Sequence, residues 1–126
     1  MGKKQFLIVD DDASITSVFE FVFAQENIDT LLANTKEQTI AILNSDEHID
    51  LVFLDVKMPD VYGLELFKEI QRIRPETLII LMTGYTIDNL IREAFNLGAY
   101  GIIYKPFDVD EVITLVKQVE KATTLV

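Results

Sequence analysis

The chain has 126 residues, and its 21 acidic side chains against 11 basic ones give a formal charge of −10 at pH 7. A surface this acidic repels a phosphate backbone, which excludes direct binding of nucleic acid, and the 49% apolar content excludes a disordered chain. The absence of cysteine excludes disulfides and thiolate chemistry, and no apolar run is long enough to span a membrane. We therefore expect one cytoplasmic domain over residues 1–126.

Five short apolar runs predict five β-strands in chain order. They lie at residues 6–9, 28–32, 51–54, 78–82 and 102–104. Four of these runs are nearly continuous, which is typical of parallel strands that are covered on both faces of a sheet. The second run is interrupted by Asp29 and Thr30 and therefore predicts an edge strand.

The segments between the runs have the spacing and the end signals of helices. Residues 35–38 and 108–111 have the spacing of a capping box, and Gly98 is expected to end a helix that begins near Thr86. Strands and helices thus alternate five times. This predicts an α/β fold of the (βα)5 type, a doubly wound five-stranded parallel sheet with helices on both faces.

The first helix offers a candidate surface for docking a partner. Asp12 is predicted to cap this helix, which starts near Ala13. At about 100° per residue, one apolar face is predicted to be shared by four side chains. They are Ile15, Val18, Phe19 and Val22. Phe21 points away from that face, and we predict an exposed aromatic side chain that suits a protein contact.

Polar residues follow four of the five predicted strands, at the edge of the sheet where the carboxyl ends meet. They are Asp10, Asp11 and Asp12 after the first strand, Asp55 after the third, Thr83, followed by Gly84, after the fourth, and Lys105, followed by Pro106, after the fifth. Ligands of open parallel sheets bind outside this edge. We therefore expect the functional site there.

Three of these carboxylates, from Asp10, Asp11 and Asp55, are expected to form one cluster. Like charges this close destabilise one another unless a cation lies among them. Oxygen ligands without cysteine or a nearby histidine favour Mg²⁺, with a carboxylate as the nucleophile or acceptor. A metal, one lysine and one threonine hydroxyl are the groups that hold a phosphoryl group during in-line transfer.

Four strings in this order resemble the receiver domain of two-component response regulators. They are Leu7-Ile-Val-Asp-Asp-Asp12, Leu54-Asp-Val-Lys-Met-Pro59, Leu81-Met-Thr-Gly84, and Gly98-Ala followed by Lys105-Pro-Phe107. The resemblance covers residues from about 5 to about 121. It implies the flavodoxin-like strand order 2-1-3-4-5 and a signalling phosphoacceptor that catalyses only its own phosphorylation and dephosphorylation.

The resemblance implies a role for each carboxylate of the cluster. Asp55 would accept a phosphoryl group from a phosphohistidine on a sensor histidine kinase or a histidine phosphotransfer protein. Asp10, Asp11 and Asp55 would bind Mg²⁺ together with the main-chain carbonyl of Lys57. The effect would pass to an output protein, to an output domain outside these residues, or through a phosphorylation-dependent homodimer.

The residues after the fourth and fifth strands would hold the phosphoryl group. By the same resemblance, Thr83 would donate a hydrogen bond to one phosphoryl oxygen and Lys105 would pair with another. Pro106 would fix the position of the lysine through a bond that is often cis in this family, and Gly84 would support the turn after Thr83.

Two positions bear on how such a switch would work in this chain. Many receivers carry an aromatic side chain three positions before the lysine, where this chain has Ile102, so we expect activation to use Thr83 with different packing. Tyr85 lies two residues beyond Thr83, and we expect its bulk to retard hydrolysis of the phosphorylated form.

Other functions stay open at this point. Asp10-Asp-Asp12-Ala-Ser14 has the Asp-x-Asp-x-Ser spacing of a haloacid-dehalogenase-type phosphohydrolase with Asp10 as nucleophile. A flavodoxin-like flavin carrier is disfavoured because three aspartates would repel the flavin phosphate. A docking module that works without phosphorylation is the third alternative. His48, the one histidine, is expected to be a solvated loop residue, so the chain is not itself a phosphohistidine donor.

Overall fold

The computed structural model describes residues 3–58, 64–84 and 88–123, which form five strands that alternate with five helices. The strands are β1 (Gln5–Val9), β2 (Asp29–Ala33), β3 (Leu51–Asp55), β4 (Leu78–Thr83) and β5 (Gly101–Tyr104). The helices are α1 (Ala13–Gln25), α2 (Lys36–Leu43), α3 (Glu65–Ile73), α4 (Asp88–Asn96) and α5 (Val109–Thr123). Every predicted strand is confirmed to within one residue at each end.

The strands form one parallel sheet in the order β2-β1-β3-β4-β5, as the resemblance implies. The prediction of an edge strand is confirmed for β2. The expectation that the continuous run of β5 is covered on both faces is wrong. This strand is the other edge, as the order 2-1-3-4-5 implies, and its Tyr104 side chain is 44% exposed. A run of three apolar residues is too short to show whether both faces of a strand are covered along its whole length.

Two apolar clusters, one on each face of the sheet, hold the helices in place. On one face, β1 and β3 pack against α2, α3 and α4 through side chains such as Val52, Leu66 and Phe67. On the other face, α1 and α5 cover the sheet around a group of phenylalanines. These are Phe6, Phe19, Phe23 and Phe53, with neighbouring ring centroids 5.0–6.3 Å apart. This packing fixes α1 beside the carboxyl end of β1.

The buried face of α1 is rotated from the predicted one, so that it gains Thr16 and Phe23, while Ile15 is only half-buried. Val18 was expected to share the buried face, but its side chain is 48% exposed. The buried stripe instead runs through Thr16, Phe19, Val22 and Phe23, because the helix packs the rings of Phe19 and Phe23 against the sheet. Val18 then lies at the rim of the stripe. Phe21 faces solvent with 67% of its surface exposed, as predicted.

The predicted ends of the helices are confirmed where the structure describes them. Thr35 caps α2 by accepting a hydrogen bond from the Gln38 N–H at 3.1 Å, and Asp108 accepts one from the Glu111 N–H at 2.9 Å. Gly98, with φ of 109°, follows the end of α4 in the left-handed region that favours glycine. The expected start of α4 near Thr86 lies outside the described residues.

The opposite end of the sheet carries His48, whose side chain is largely exposed before β3, as expected of a solvated loop residue. Its Nε2 lies 2.6 Å from an Asp50 carboxylate oxygen. Within the parts of the chain that the structure describes, no helix combines the length and the apolar character needed to cross a membrane.

Candidate functional site

Asp10 and Asp55 follow neighbouring strands and meet at the carboxyl edge of the sheet. Asp10 comes directly after β1, Asp55 is the last residue of β3, and these two strands are paired. The Asp10 side chain is fully buried and that of Asp55 is nearly so, whereas Asp11 is exposed. One carboxylate oxygen from each of the three lies within 4.8 Å of the others. The predicted acidic cluster is therefore present.

Lys105 brings a positive charge into this cluster from the end of β5. Its Nζ donates a hydrogen bond to Asp10 Oδ2 at 2.7 Å and lies 3.5 Å from Asp55 Oδ2. Partial burial of the ammonium favours its neutral form, but the hydrogen bond to Asp10 and the charges of both carboxylates raise the pKa of Lys105. The Lys105–Pro106 peptide bond is cis, as the resemblance implies.

Asp55 is the carboxylate whose ionisation is most perturbed. Burial raises the pKa of Asp55 to about 6, with the nearby charge of Asp10 acting in the same direction. The Lys57 N–H, which donates to Asp55 Oδ1 at 3.0 Å, and the charge of Lys105 lower this pKa. At neutral pH the Asp55 carboxylate is thus largely ionised, and it is held at a cost that a bound cation relieves.

The donor atoms of the cluster fit Mg²⁺. All three side chains offer hard carboxylate oxygens, which this cation prefers. An octahedral Mg²⁺ with ligands at about 2.1 Å holds them no more than about 4.2 Å apart. The observed limit of 4.8 Å is close to this span, so small side-chain movements suffice to bring the oxygens around one ion.

Three of the remaining predicted site residues are described by the structure, and they lie at or near the same edge. Thr83 is buried at the end of β4, and its carbonyl accepts a hydrogen bond from the Lys105 N–H at 2.7 Å. Gly84 follows it, and among the described residues a Cβ added there would meet nothing within 4 Å. Ile102 is half-buried against the cluster that contains Val52 and Leu66. Tyr85 lies outside the described residues.

Asp12 is the N-cap of α1 and not part of the carboxylate cluster. Its Oδ1 accepts hydrogen bonds from the Ser14 hydroxyl at 2.6 Å and the Ser14 N–H at 2.9 Å, which lower the pKa of Asp12. This confirms the predicted cap. The Asp10 carboxylate accepts hydrogen bonds from Lys105 Nζ and from the Asp12 N–H. These bonds weaken the phosphohydrolase alternative, in which Asp10 would be the nucleophile.

Asn34, which the sequence did not predict as a site residue, belongs to the surroundings of the site. Its Nδ2 donates a hydrogen bond to the main-chain carbonyl of Asp10 at 2.8 Å. The only signal in the sequence is an asparagine between the end of the second strand and the capping threonine of the next helix. That position predicts a turn and not a contact with another strand end.

Replacing Asp55 with asparagine is expected to stabilise the protein at pH 7.5 in the absence of divalent cations. The pKa of Asp55 is about 6 in the folded state, above the ordinary value of 3.8. Between these pH values the folded state binds more protons than the unfolded state, so the stability of the fold decreases as the pH rises through 6. A pKa difference of one unit corresponds to about 1.4 kcal/mol, and solvent at the sheet edge screens part of this effect. Asp55→Asn should therefore raise the free energy of unfolding by about 2 kcal/mol at pH 7.5. The gain should vanish below about pH 4.

Urea unfolding of both proteins at pH 7.5 and pH 4, with chelator present, measures this difference. Asp46→Asn, in an exposed loop, is the matched control and should change the free energy of unfolding by less than about 0.5 kcal/mol at either pH. A gain that is equal at both pH values would show that ionisation of Asp55 is not its cause.

Comparison with known proteins places the chain among response regulators. A family model described as response regulator receiver domain matches residues 6–117. The chain is 36% identical over 118 residues to sporulation initiation phosphotransferase F of Bacillus subtilis, and the match covers 94% of each protein. It is 34% identical over 114 residues to regulatory protein AtoC of Escherichia coli, and the match covers 90% of the chain but only 24% of AtoC.

Solved structures give the same result. A response regulator receiver domain protein (CheY-like) from Methanospirillum hungatei superposes with a TM-score of 0.89 at 28% identity, with 96% of each chain covered. A two-component response regulator from Clostridium difficile superposes with a TM-score of 0.88 at 25% identity, with 94% of this chain and 97% of that one covered.

Proposed function

The chain belongs to the response regulator receiver domain family, and on that basis we propose that Asp55 accepts a phosphoryl group in a Mg²⁺-dependent reaction. One observation carries this proposal. Asp55 is a buried carboxylate at a strand end, 3.5 Å from the Lys105 ammonium and grouped with two further carboxylates within 4.8 Å. A nucleophile, a cation for phosphoryl oxygens and a set of metal ligands thus meet at one edge of the sheet.

The proposed step is transfer from a phosphohistidine to the Asp55 carboxylate. An Asp55 oxygen attacks phosphorus, a P–O bond forms, and the P–N bond to the donor imidazole breaks. The imidazole leaves with the electron pair of the P–N bond. When the second ring nitrogen of the phosphohistidine carries a proton, the leaving group is neutral imidazole and needs no further proton. The product is an aspartyl phosphate, whose later hydrolysis returns the carboxylate and inorganic phosphate.

The neighbouring groups are proposed to bind the phosphoryl oxygens. Asp10, Asp11, Asp55 and the carbonyl of Lys57 would hold Mg²⁺, which when bound supplies charge that offsets the carboxylates and the phosphoryl oxygens. Lys105 is already placed between Asp10 and Asp55 and would pair with one phosphoryl oxygen. Thr83, buried at the end of β4, would donate its hydroxyl to another.

The proposed donor is a sensor histidine kinase or a histidine phosphotransfer protein, and the proposed receiver of the signal is a separate protein or an output domain. The match covers 94% of sporulation initiation phosphotransferase F but only about a quarter of AtoC and of the NtrC regulators. These relatives therefore support both a free-standing receiver and one attached to a larger regulator. A phosphorylation-dependent homodimer is a third route for the output.

Acetyl phosphate tests the acceptor chemistry without a docking partner, because it is a small acyl phosphate. The intact mass of the protein, measured with and without Mg²⁺ and with Asp55 replaced, reports whether the phosphoryl group is accepted and where. If neither acetyl phosphate nor a phosphohistidine protein gave an adduct, the result would instead favour a docking module that works without phosphorylation.

Phe21 is proposed to contact the phosphodonor protein. It lies on the solvent side of α1, whose first turn follows directly after Asp10, Asp11 and Asp12. Val18 on the same helix and Val109 at the start of α5 are also exposed, so apolar surface is available on this side of the sheet. A large exposed aromatic ring is the kind of side chain that contributes most to a protein contact.

Replacing Phe21 with serine is expected to slow transfer from the cognate donor by about tenfold, while phosphorylation by acetyl phosphate is unchanged. The reason is that the substitution removes a contact with the donor and leaves the carboxylate cluster intact. Phe95→Ser is the matched control, since Phe95 is an exposed aromatic on α4, across the sheet, and should alter neither rate. Equal slowing with both donors in Phe21→Ser would contradict a docking role.

A further inference from the structure

The main-chain groups of Asp10 are held by the end of β2. The Asp10 N–H donates a hydrogen bond to the Ala33 carbonyl at 3.1 Å, and the Asp10 carbonyl accepts one from Asn34 Nδ2 at 2.8 Å. The first of these continues the parallel ladder between β1 and β2, whose last paired residues are Val9 and Ala33. The second replaces a ladder bond with a bond from a side chain.

The replacement is needed because the chain turns away after Ala33. If the parallel ladder continued, the main-chain N–H of Thr35, two residues after Ala33, would donate a hydrogen bond to the Asp10 carbonyl. Thr35 is instead the N-cap of α2. The amide of Asn34 thus supplies the donor that the turn removes, and it leaves no buried carbonyl unpaired at this strand end.

Asn34 is itself held in place by the first turn of α2. Its main-chain N–H donates to Gln38 Oε1 at 2.7 Å, and the Gln38 N–H donates to Thr35 Oγ1 at 3.1 Å. The Gln38 side chain therefore reaches one residue further back than in the usual capping box, where it would bond the cap residue itself. The half-buried Asn34 is thus fixed between α2 and the end of β1.

The Asp10 carbonyl belongs to the peptide unit that joins Asp10 to Asp11. A hydrogen bond to this oxygen fixes the plane of the peptide and so the direction in which the Asp11 side chain leaves the backbone. Within the described parts of the chain, the exposed Asp11 carboxylate has no hydrogen-bond partner of its own. Its place beside Asp10 and Asp55 therefore depends on how the backbone is held.

We propose that Asn34 is a positioning residue for the acidic cluster: its amide orients the Asp10–Asp11 peptide and thereby sets the affinity of the cluster for Mg²⁺. This inference rests on the proposed role of the cluster in metal binding. Partners of metal ligands change metal affinity by about 10–100-fold when removed. Because Asn34 acts through the backbone and not on a ligand atom, we expect the lower end of this range.

Titration with MgCl₂ alone, followed by the amide resonances of residues 10–12 in ¹⁵N-labelled protein, measures this affinity directly. Asn34→Ala is expected to raise the Kd for Mg²⁺ about tenfold. Asn44→Ala makes the same substitution at the other end of α2 and should leave the Kd within twofold of the wild-type value. Thermal unfolding without Mg²⁺ checks that each variant is folded at the temperature of the titration.

Asn34→Asp gives a second, independent variant of nearly the same shape. Its carboxylate cannot donate to the Asp10 carbonyl, while its added negative charge should by itself strengthen cation binding. The positioning role therefore predicts a higher Kd than in the wild type in spite of this charge. A Kd that is lower than or equal to the wild-type value in Asn34→Asp, or within twofold of it in Asn34→Ala, would overturn the proposal.

A variant of a direct ligand separates this inference from the proposed function beneath it. Asp11→Ala should bind Mg²⁺ far more weakly than the wild type. If it binds equally well, or if the wild-type protein shows no binding, the proposed metal site fails and the positioning role fails with it. If Asp11→Ala loses binding while both Asn34 variants retain it, only the positioning role fails.

The dependence of acetyl phosphate labelling on Mg²⁺ gives a readout that a general loss of structure would not reproduce. Asn34→Ala should need about ten times more Mg²⁺ for half-maximal rate, but its limiting rate should stay within about twofold of the wild type. This follows because Asp55 and Lys105 are unchanged. A lower limiting rate at an unchanged Mg²⁺ requirement would contradict a role in positioning the metal ligands.

Discussion

Replacing Lys105 with methionine is expected to lower the free energy of unfolding by about 3 kcal/mol at pH 7.5 without divalent cations. Asp10 is fully buried, and its Oδ2 accepts a hydrogen bond from Lys105 Nζ at 2.7 Å. Methionine fills similar space but leaves that carboxylate with the Asp12 N–H as its remaining hydrogen bond on the described part of the chain. Removal of one partner of a buried pair is costly because the other charge stays buried.

The same substitution should make the protein more responsive to Mg²⁺. Without the ammonium, a divalent cation bound at the cluster would take over the task of offsetting the charges of Asp10 and Asp55. We therefore expect saturating MgCl₂ to raise the midpoint of thermal unfolding more in Lys105→Met than in the wild type.

Urea and thermal unfolding with and without MgCl₂ measure both effects. Lys68→Met is the matched control, because Lys68 is largely exposed and lies 4.0 Å from Glu93, so its loss should cost less than about 0.5 kcal/mol. If Lys105→Met unfolds at the same urea concentration as the wild type in the presence of chelator, the cluster does not depend on Lys105 for its charge balance.

The sheet was predictable from the sequence because its central strands are buried on both faces. A strand such as β3, whose five residues are all buried, must be a continuous apolar run that ends where the chain becomes polar. The ends of the helices were predictable for a similar reason, since Thr35, Asp108 and Gly98 each satisfy a local backbone requirement. The strand order was obtained by resemblance and not from these patterns.

The two errors in the predicted fold have a common cause. The exposure of Val18 and of Tyr104 is decided by what packs beside them, which a periodic pattern does not contain. Helical spacing places Val18 at one end of an arc of about 100° that it shares with Ile15, Phe19 and Val22. Phe19 and Phe23 turn the other end of that arc toward Phe53 and Phe6, and Val18 is left exposed.

The carboxylate cluster was predictable because parallel strands bring their carboxyl ends to one edge of the sheet. Asp10 and Asp55 had to be neighbours once β1 and β3 were paired. The contribution of Asn34 was not predictable, because a bond from its side chain to the carbonyl of another strand depends on where β2 ends relative to β1. The closer pairing of Lys105 with Asp10 than with Asp55 was not predictable either, because the strand order places β5 nearer to β3 than to β1.

Replacing Asp55 with alanine is expected to abolish phosphorylation. Asp10 and Asp11 remain in this variant, but the Asp10 carboxylate is bonded to Lys105 and to the Asp12 N–H. Asp11 is exposed to solvent, and among the described contacts Lys105 pairs with Asp10 and Asp55 and not with Asp11. Asp55 is thus the carboxylate that combines access to the sheet edge with a nearby ammonium group.

The most direct test of this account is the intact mass of the wild-type protein and of Asp55→Ala after incubation with acetyl phosphate, with and without MgCl₂. We expect a gain of about 80 Da, one phosphoryl group, in the wild type with MgCl₂ only, and no gain in Asp55→Ala. An adduct that persists in Asp55→Ala would contradict the account and point to Asp10 as the nucleophile of a phosphohydrolase.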